Sequence, residues 1–305
     1  MNPNFRKKPL LLAVVALCVL ACCLPPLQAG IERRAWTVDG VEREAMVYIP
    51  EGKETSAKAP SGKAAQENKG SGDESPEDEG SEKAVGRPLV FVFHGHGGSM
   101  AQAVRSLPIH IGWPEAVCVW PQGLPTPGKL TDPEGKRNGW QMSEGDQGNR
   151  DLKFYDAMLK DLLTGGDHVD AARVFALGHS NGGAFTYLLW AERPDTLSAV
   201  APSGAVAAKT LPKLKLHPKP MLAIAGREDP LVRFSWQERM IQSLLRSNGC
   251  TPPPLKNGLT DHPSPTQTPI RTLIHHVGHA IPREATPEIA NFFQSLPTPP
   301  PNKGD

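Results

Sequence analysis

Regular alternation of apolar runs and helical stretches constrains this chain more than any other feature. From residue 89 onward, short apolar runs at 89–93, 116–120, 173–177, 197–201, 221–225 and 270–275 are interleaved with helical stretches at 151–163, 182–192, 235–247 and about 283–296. Such succession implies a largely parallel sheet, because parallel neighbours need a crossover and a helix supplies it. The runs are apolar throughout, as strands buried on both faces must be. Ahead of them, segments 35–38 and 45–49 flank Asp39-Gly40, a pair suited to the positive φ angles of a tight hairpin turn. The expected fold is therefore α/β, with a mostly parallel central sheet, an N-terminal antiparallel hairpin and helices on both faces. Between 251 and 269 proline is frequent and no apolar period is visible, so that stretch reads as loop.

Not all 305 residues belong to that sheet. Residues 1–29 open with Arg6, Lys7 and Lys8, continue through an apolar run and end at Ala29, the pattern of a secretory signal. The run, from 10 to 24, is shorter than the ~20 residues a spanning helix needs, so no membrane-spanning segment is expected. A second processing route is open, since Val19-Leu20-Ala21-Cys22 is similar to a bacterial lipoprotein box in which Cys22 becomes the lipidated first residue. Both routes lead to a secreted or periplasmic protein. From 51 to 86 the composition turns to Lys, Glu, Ser, Gly, Ala and Pro, too polar to bury a core, which predicts a disordered insertion. Such an insertion can join neighbouring strands because closure entropy grows only slowly with loop length. Residues 298–305 read as a disordered tail, leaving a single domain over 30–297. Three of the five cysteines lie in the signal, and Cys118 and Cys250 fit one bridge or two free thiols equally well. With a net charge of +1 and no basic face, nucleic-acid binding has no support.

The chemistry concentrates at loops that follow strands. Gly178-His179-Ser180-Asn181-Gly182 fits G-x-S-x-G between an apolar strand and an apolar helix, the context of a nucleophile elbow, which makes Ser180 the candidate nucleophile. The helix starting just after it exposes unpaired N–H groups, so Asn181 N–H is one expected oxyanion donor. Phe93-His94-Gly95-His96-Gly97-Gly98 ends another strand, and the backbone N–H of His96 is the expected second donor. A rival reading makes His94 and His96 metal ligands, but no Asp, Glu or Cys cluster of recognised zinc spacing accompanies them, so no metal is expected. Asp229 follows a late strand in Gly226-Arg227-Glu228-Asp229-Pro230 and is the candidate acid, with Glu228 the alternative. His279 is the candidate base because it lies beyond the end of the last strand, whereas His275 and His276 belong to the strand, one packed and one exposed. Trp113 and Trp140 lie in loops where an aromatic substrate wall could form, and core packing fits them equally well.

With these residues in place, the chain resembles the polyhydroxybutyrate depolymerase and feruloyl esterase group of α/β-hydrolases over about 89–293. The likeness is carried by His94-Gly95, Val169-Asp170-Ala171-Ala172-Arg173-Val174, Gly182-Gly183, Gly226 to Pro230, and Gly278-His279. It departs at Asn181, where many relatives have Ala or Gly, in the short connection from Gly98 to Trp113, and in the charged insertion before Leu89. The resemblance implies a serine carboxylic-ester hydrolase forming an acyl-enzyme on Ser180, without a metal or organic cofactor. Its implied substrates are esters, including polyesters and feruloylated or acetylated polysaccharides. A serine peptidase of the same fold and a non-catalytic binding protein on a hydrolase scaffold are the competing readings; the complete Ser, Asp, His set argues against the second.

Overall fold

A computed structural model describes residues 30–51, 86–128 and 131–298. The expected signal (1–29), nearly all of the expected insertion (51–86) and all but the first residue of the expected tail (298–305) lie outside the described residues. The chain begins with the hairpin β1 (Ile31–Val38) and β2 (Val41–Tyr48), turned by Asp39 at φ 49° and Gly40 at φ 78°. Then come β3 (Arg87–Phe93), α1 (Met100–Ser106), α2 (Ile109–Gly112), β4 (Val117–Pro121) and a short antiparallel pair, β5 (Leu124–Pro125) and β6 (Asn138–Gly139). The helix α3 (Arg150–Thr164) precedes β7 (Val169–His179), α4 (Asn181–Glu192), β8 (Ala199–Ser203), α5 (Leu211–Leu216) and β9 (Met221–Gly226). The last elements are α6 (Phe234–Ser247), β10 (Gly258–His262), β11 (Ile270–His275) and α7 (Ala285–Ser295).

Among the described residues the main sheet has nine strands in the order β1-β2-β4-β3-β7-β8-β9-β11-β10. The six from β4 to β11 run parallel; β1 and β2 at one edge and β10 at the other are antiparallel to their neighbours. This is the α/β-hydrolase fold. Side-chain alternation divides the core in two. On one face Leu89, Phe91, Phe93, Val117 and Val119 pack with α3, α4 and α6; on the other Val90, Val92, Cys118 and Trp120 pack with α1 and α7. A helix laid over each apolar face removes the sheet from water, and this burial is the main stabilising term for the fold.

Several expectations are corrected. The Pro-rich stretch 251–269 contains the edge strand β10, which pairs with β11 from Gly258 opposite Ile274 to His262 opposite Ile270. An edge strand can be short and flanked by prolines because only one of its sides donates to a ladder, so its sequence carries little strand signal. The short connection from Gly98 to Trp113 carries α1 and α2. The helix α1 is capped by Ser99 Oγ, which accepts from Gln102 N–H at 3.2 Å. Cys118 and Cys250 are both buried and free, so the bridge alternative is set aside, and burial pushes both thiols up from their ordinary range.

Candidate active site

The parallel strands all end on one side of the sheet, and the loops beyond them carry the chemistry, as in open α/β sheets generally. At the end of β7 the chain turns into α4 through Ser180, whose backbone sits at φ 56° and ψ −119°. A non-glycine residue in that region is strained and is held there only by its surroundings. Here the anchors are the bond from Ser180 N–H to Ser203 O at 2.8 Å and the first helical bond, Ala184 N–H to Ser180 O at 2.9 Å. The turn is so tight that a Cβ on Gly178 would lie 2.4 Å from the Gly182 carbonyl, and one on Gly182 would lie 2.3 Å from Phe93 O. Both glycines of G-x-S-x-G are therefore required by backbone approach.

Ser180 meets the two other candidate triad residues. His279 Nε2 accepts from Ser180 Oγ at 2.7 Å, and His279 Nδ1 donates to Asp229 Oδ2 at 2.8 Å. Asp229 is buried, 6% exposed, and its charge is met by further donors. Oδ1 accepts from the N–H groups of Leu231 (2.9 Å) and Val232 (2.8 Å), and Oδ2 also accepts from Gln237 Nε2 at 3.2 Å. Such donors fix which oxygen faces the histidine. Glu228 points elsewhere, exposed and 3.5 Å from His276 Nδ1, so it does not reach His279. As expected, one of the pair is packed and one exposed, but only His275 belongs to β11, and His276 lies just past its end.

Beside this chain of bonds lies a second imidazole. The His179 ring is 4.8 Å from that of His279, and its Nδ1 is 3.2 Å from Ser203 Oγ. Burial, reinforced by the charge of His279, lowers the His179 pKa to about 4. It is thus neutral near neutral pH, and no second cation opposes a protonated His279.

The loop after β3 passes close to Ser180: a Cβ on Gly95 would lie 3.6 Å from Ser180 Cβ. His96 and Asn181, whose backbone N–H groups are the expected oxyanion donors, line the same cleft as Ser180. Among the described residues neither amide donates to a protein acceptor, which leaves both available to a developing oxyanion. The side chains of this loop serve structure. His94 donates from Nδ1 to Gly95 O at 2.7 Å and accepts at Nε2 from Gly123 N–H at 3.0 Å, so both ring nitrogens are engaged. His96 Nε2 bonds to Asp132 Oδ2 at 3.2 Å, pinning the excursion between β4 and α3. Among the described residues no group of three or more His, Cys, Asp or Glu side chains is arranged to hold a metal ion.

Trp113 and Trp140 do not line the site. Trp140 is 1% exposed, packs on Phe93 and Phe185, and donates from Nε1 to His94 O at 2.9 Å. Trp113 packs on Phe175, with the Arg173 guanidinium over its ring. Trp140 still bears on the site through its backbone. Asn181 Oδ1 accepts from Trp140 N–H at 2.7 Å, and Asn181 Nδ2 donates to Trp140 O at 3.0 Å. The Asn181 side chain therefore clips the β6 excursion to the elbow, a task that Ala or Gly cannot perform.

Two clefts meet at Ser180, His96 and His279. One, of about 120 Å³, is mainly apolar and is walled by Met142, Val206, Leu231, Val232 and Trp236. The other, of about 290 Å³, runs along Gly95 to Gly98 and past Gln102, Ser106 and His179. An ester has two halves flanking the carbonyl, and a nucleophile between an apolar and a more polar cleft can seat both. Gln237 and Trp236 had no sequence signal that marked them, whereas Met142 belongs to the loop segment 138–142 that did. Gln237 and Trp236 come from the first turn of α6, which reads only as amphipathic.

No family model matches the sequence. Over 155 residues the chain is 35% identical to a protein of Nocardia uniformis subsp. tsuyamanensis described as the esterase NocK, covering 49% of this chain and 42% of that one. Over 186 residues it is 30% identical to a protein of Aspergillus flavus described as a feruloyl esterase C, covering 58% of this chain and 62% of that one. The chain thus spans about half the length of the curated relatives it matches. Among solved structures, an S-formylglutathione hydrolase from Staphylococcus aureus superposes with a TM-score of 0.53 over 87% of this chain and 95% of that one. At 13% identity that likeness bears on the fold alone.

Proposed function

We infer that this chain, an α/β-hydrolase in fold and similar in sequence to the feruloyl esterase group, hydrolyses carboxylic esters through an acyl-enzyme on Ser180. One observation carries the reading: the unbroken chain Asp229–His279–Ser180, with bonds of 2.8 and 2.7 Å, ends on a serine at a strained strand-to-helix turn. His279 takes the Ser180 proton as Oγ attacks the ester carbonyl, and Asp229 stabilises the imidazolium that results. The N–H groups of Asn181 and His96 hold the oxyanion of the tetrahedral intermediate. Collapse expels the alcohol, which receives the proton from His279; a water molecule, deprotonated by the same imidazole, then attacks the acyl-enzyme and releases the acid.

Export fits this reading. The N-terminal signal pattern directs the chain to a secreted or periplasmic location, with Cys22 as the lipid anchor if the lipoprotein route is taken. Substrates in that setting include polyhydroxyalkanoates and the feruloyl or acetyl esters of plant polysaccharides. The test is turnover of p-nitrophenyl acetate and butyrate, methyl ferulate and polyhydroxybutyrate, with Ser180→Ala as control. Ser180-dependent ester turnover is the expected result, and its pattern assigns the substrate; absence of turnover on all four contradicts the reading.

A further inference from the structure

Val206 and Trp236 help line the apolar cleft at Ser180, and the same two residues also line a second hollow of about 410 Å³. That hollow is completed by Ala208, Leu211, Arg239 and Met240, none of which lines the cleft at Ser180. Val206 and Trp236 therefore stand between a small space that contains the reacting groups and a larger, mainly apolar space that does not. Of the two, the indole is the larger side chain.

Trp236 is also held in place. It lies in the first turn of α6, and the Arg233 guanidinium sits over its ring at 5.4 Å. Its neighbour Gln237 is bonded to both Asp229 and Val232 O, the latter at 2.6 Å, so the backbone carrying the indole is tied to the triad. A bulky ring on a fixed backbone acts as a wall.

We propose that Trp236 is the specificity-determining residue that limits the length of the apolar half of the ester, by closing the cleft at Ser180 off from the hollow beyond. Chains short enough to fit the cleft are seated against Met142, Leu231, Val232 and Trp236. Longer chains are rejected because their remaining methylene groups have no apolar surface to reach. The inference rests on the reading of Ser180 as an ester nucleophile and adds the class of ester preferred: short-chain or compact.

The experiment compares kcat/KM across two substrate series, p-nitrophenyl esters from acetate to decanoate and acetates of primary alcohols from methanol to decanol, so that whichever half occupies the cleft is read out. For the wild-type protein, kcat/KM should fall with length in at least one series. Trp236→Ala should raise the long-to-short ratio in that series by about tenfold or more, since a single methylene in an apolar pocket is already worth roughly that factor. Trp236→Phe should give a smaller rise and guards against a folding defect in the alanine variant. Adding Leu211→Trp to Trp236→Ala refills the hollow and should remove the gain while short-chain turnover persists. The proposal is overturned if the wild-type protein handles long and short chains equally, or if the ratio stays put in both Trp236 variants while short-chain turnover is retained. It is also overturned if Leu211→Trp fails to remove the gain. Failure of the wild-type protein on every ester in both series overturns instead the reading of Ser180, and the filter with it.

Discussion

At the scale of single residues, the candidate site depends on groups that hold one another in place. Asp229 illustrates this: of its four donors, two are backbone N–H groups two and three residues on, which any Asp at a turn could recruit, but the fourth is a side chain from a separate helix. Gln237 is 1% exposed, and both of its amide protons are used, one on Asp229 and one on Val232 O. Gln237→Leu keeps the volume roughly constant and removes that support. Losing one charge-assisted bond of several is worth about 1–2 kcal/mol, so kcat should fall about tenfold with KM nearly unchanged. Steady-state kinetics with a short-chain ester check this; an unchanged kcat would show that the backbone donors suffice. Ser180 and His279 were legible in the sequence because each is marked by local chain geometry, one by glycines that permit a tight turn, the other by its position past a strand end. Gln237 and Trp236 were not, because their roles arise from contacts with segments far from their own helix. Trp140 and Trp113 show the converse. A loop position does not reveal which way a ring turns, and both rings turn into the core.

At the scale of elements, the strands that place the site were legible because full burial writes continuous apolar runs, whereas β10 and the pair β5–β6 were not, being short, edge-like and rich in turn residues. One contact between elements has no local signature. Arg43 on β2 and Asp151 in the first turn of α3 form an ion pair at 2.9 Å with both side chains buried. The Arg43 guanidinium also lies 4.3 Å above the Phe154 ring, and Asp151 Oδ2 accepts from Gln141 N–H at 2.9 Å, one residue beyond Trp140. This pair joins the edge hairpin, α3 and the excursion clipped by Asn181. Arg43→Met removes the nearer of two guanidinium groups beside the buried Asp151 carboxylate, with Arg150 Nε remaining at 3.7 Å, a loss expected to cost up to about 3 kcal/mol, the lower end for breaking a buried pair. Urea unfolding at neutral pH measures it, and a loss below about 1 kcal/mol would mean that Arg150 and the backbone donor at Gln141 are enough.

At the scale of the whole molecule, the burial that builds the two-sided core also sets its response to acid. His94, His110, His179, His262 and His275 are each held below the ordinary histidine value chiefly by burial, His179 at about 4. The unfolded chain protonates these rings near 6.5, while the folded chain resists until lower pH. Between those limits the unfolded state binds more protons, so folding stability falls as pH drops below about 6.5. Urea midpoints measured from about pH 7.5 down to about pH 4 should decline steadily from the histidine range onward. A midpoint flat until the carboxylates titrate would assign the acid response to Asp and Glu instead.

The central claim is that Ser180 becomes covalently acylated, and it is tested most directly by intact-mass and peptide mapping after reaction with a fluorophosphonate. The account predicts one adduct per chain, located on Ser180, abolished in Ser180→Ala, and formed in step with loss of ester turnover. An adduct at another residue, or ester turnover that survives in Ser180→Ala, would contradict it.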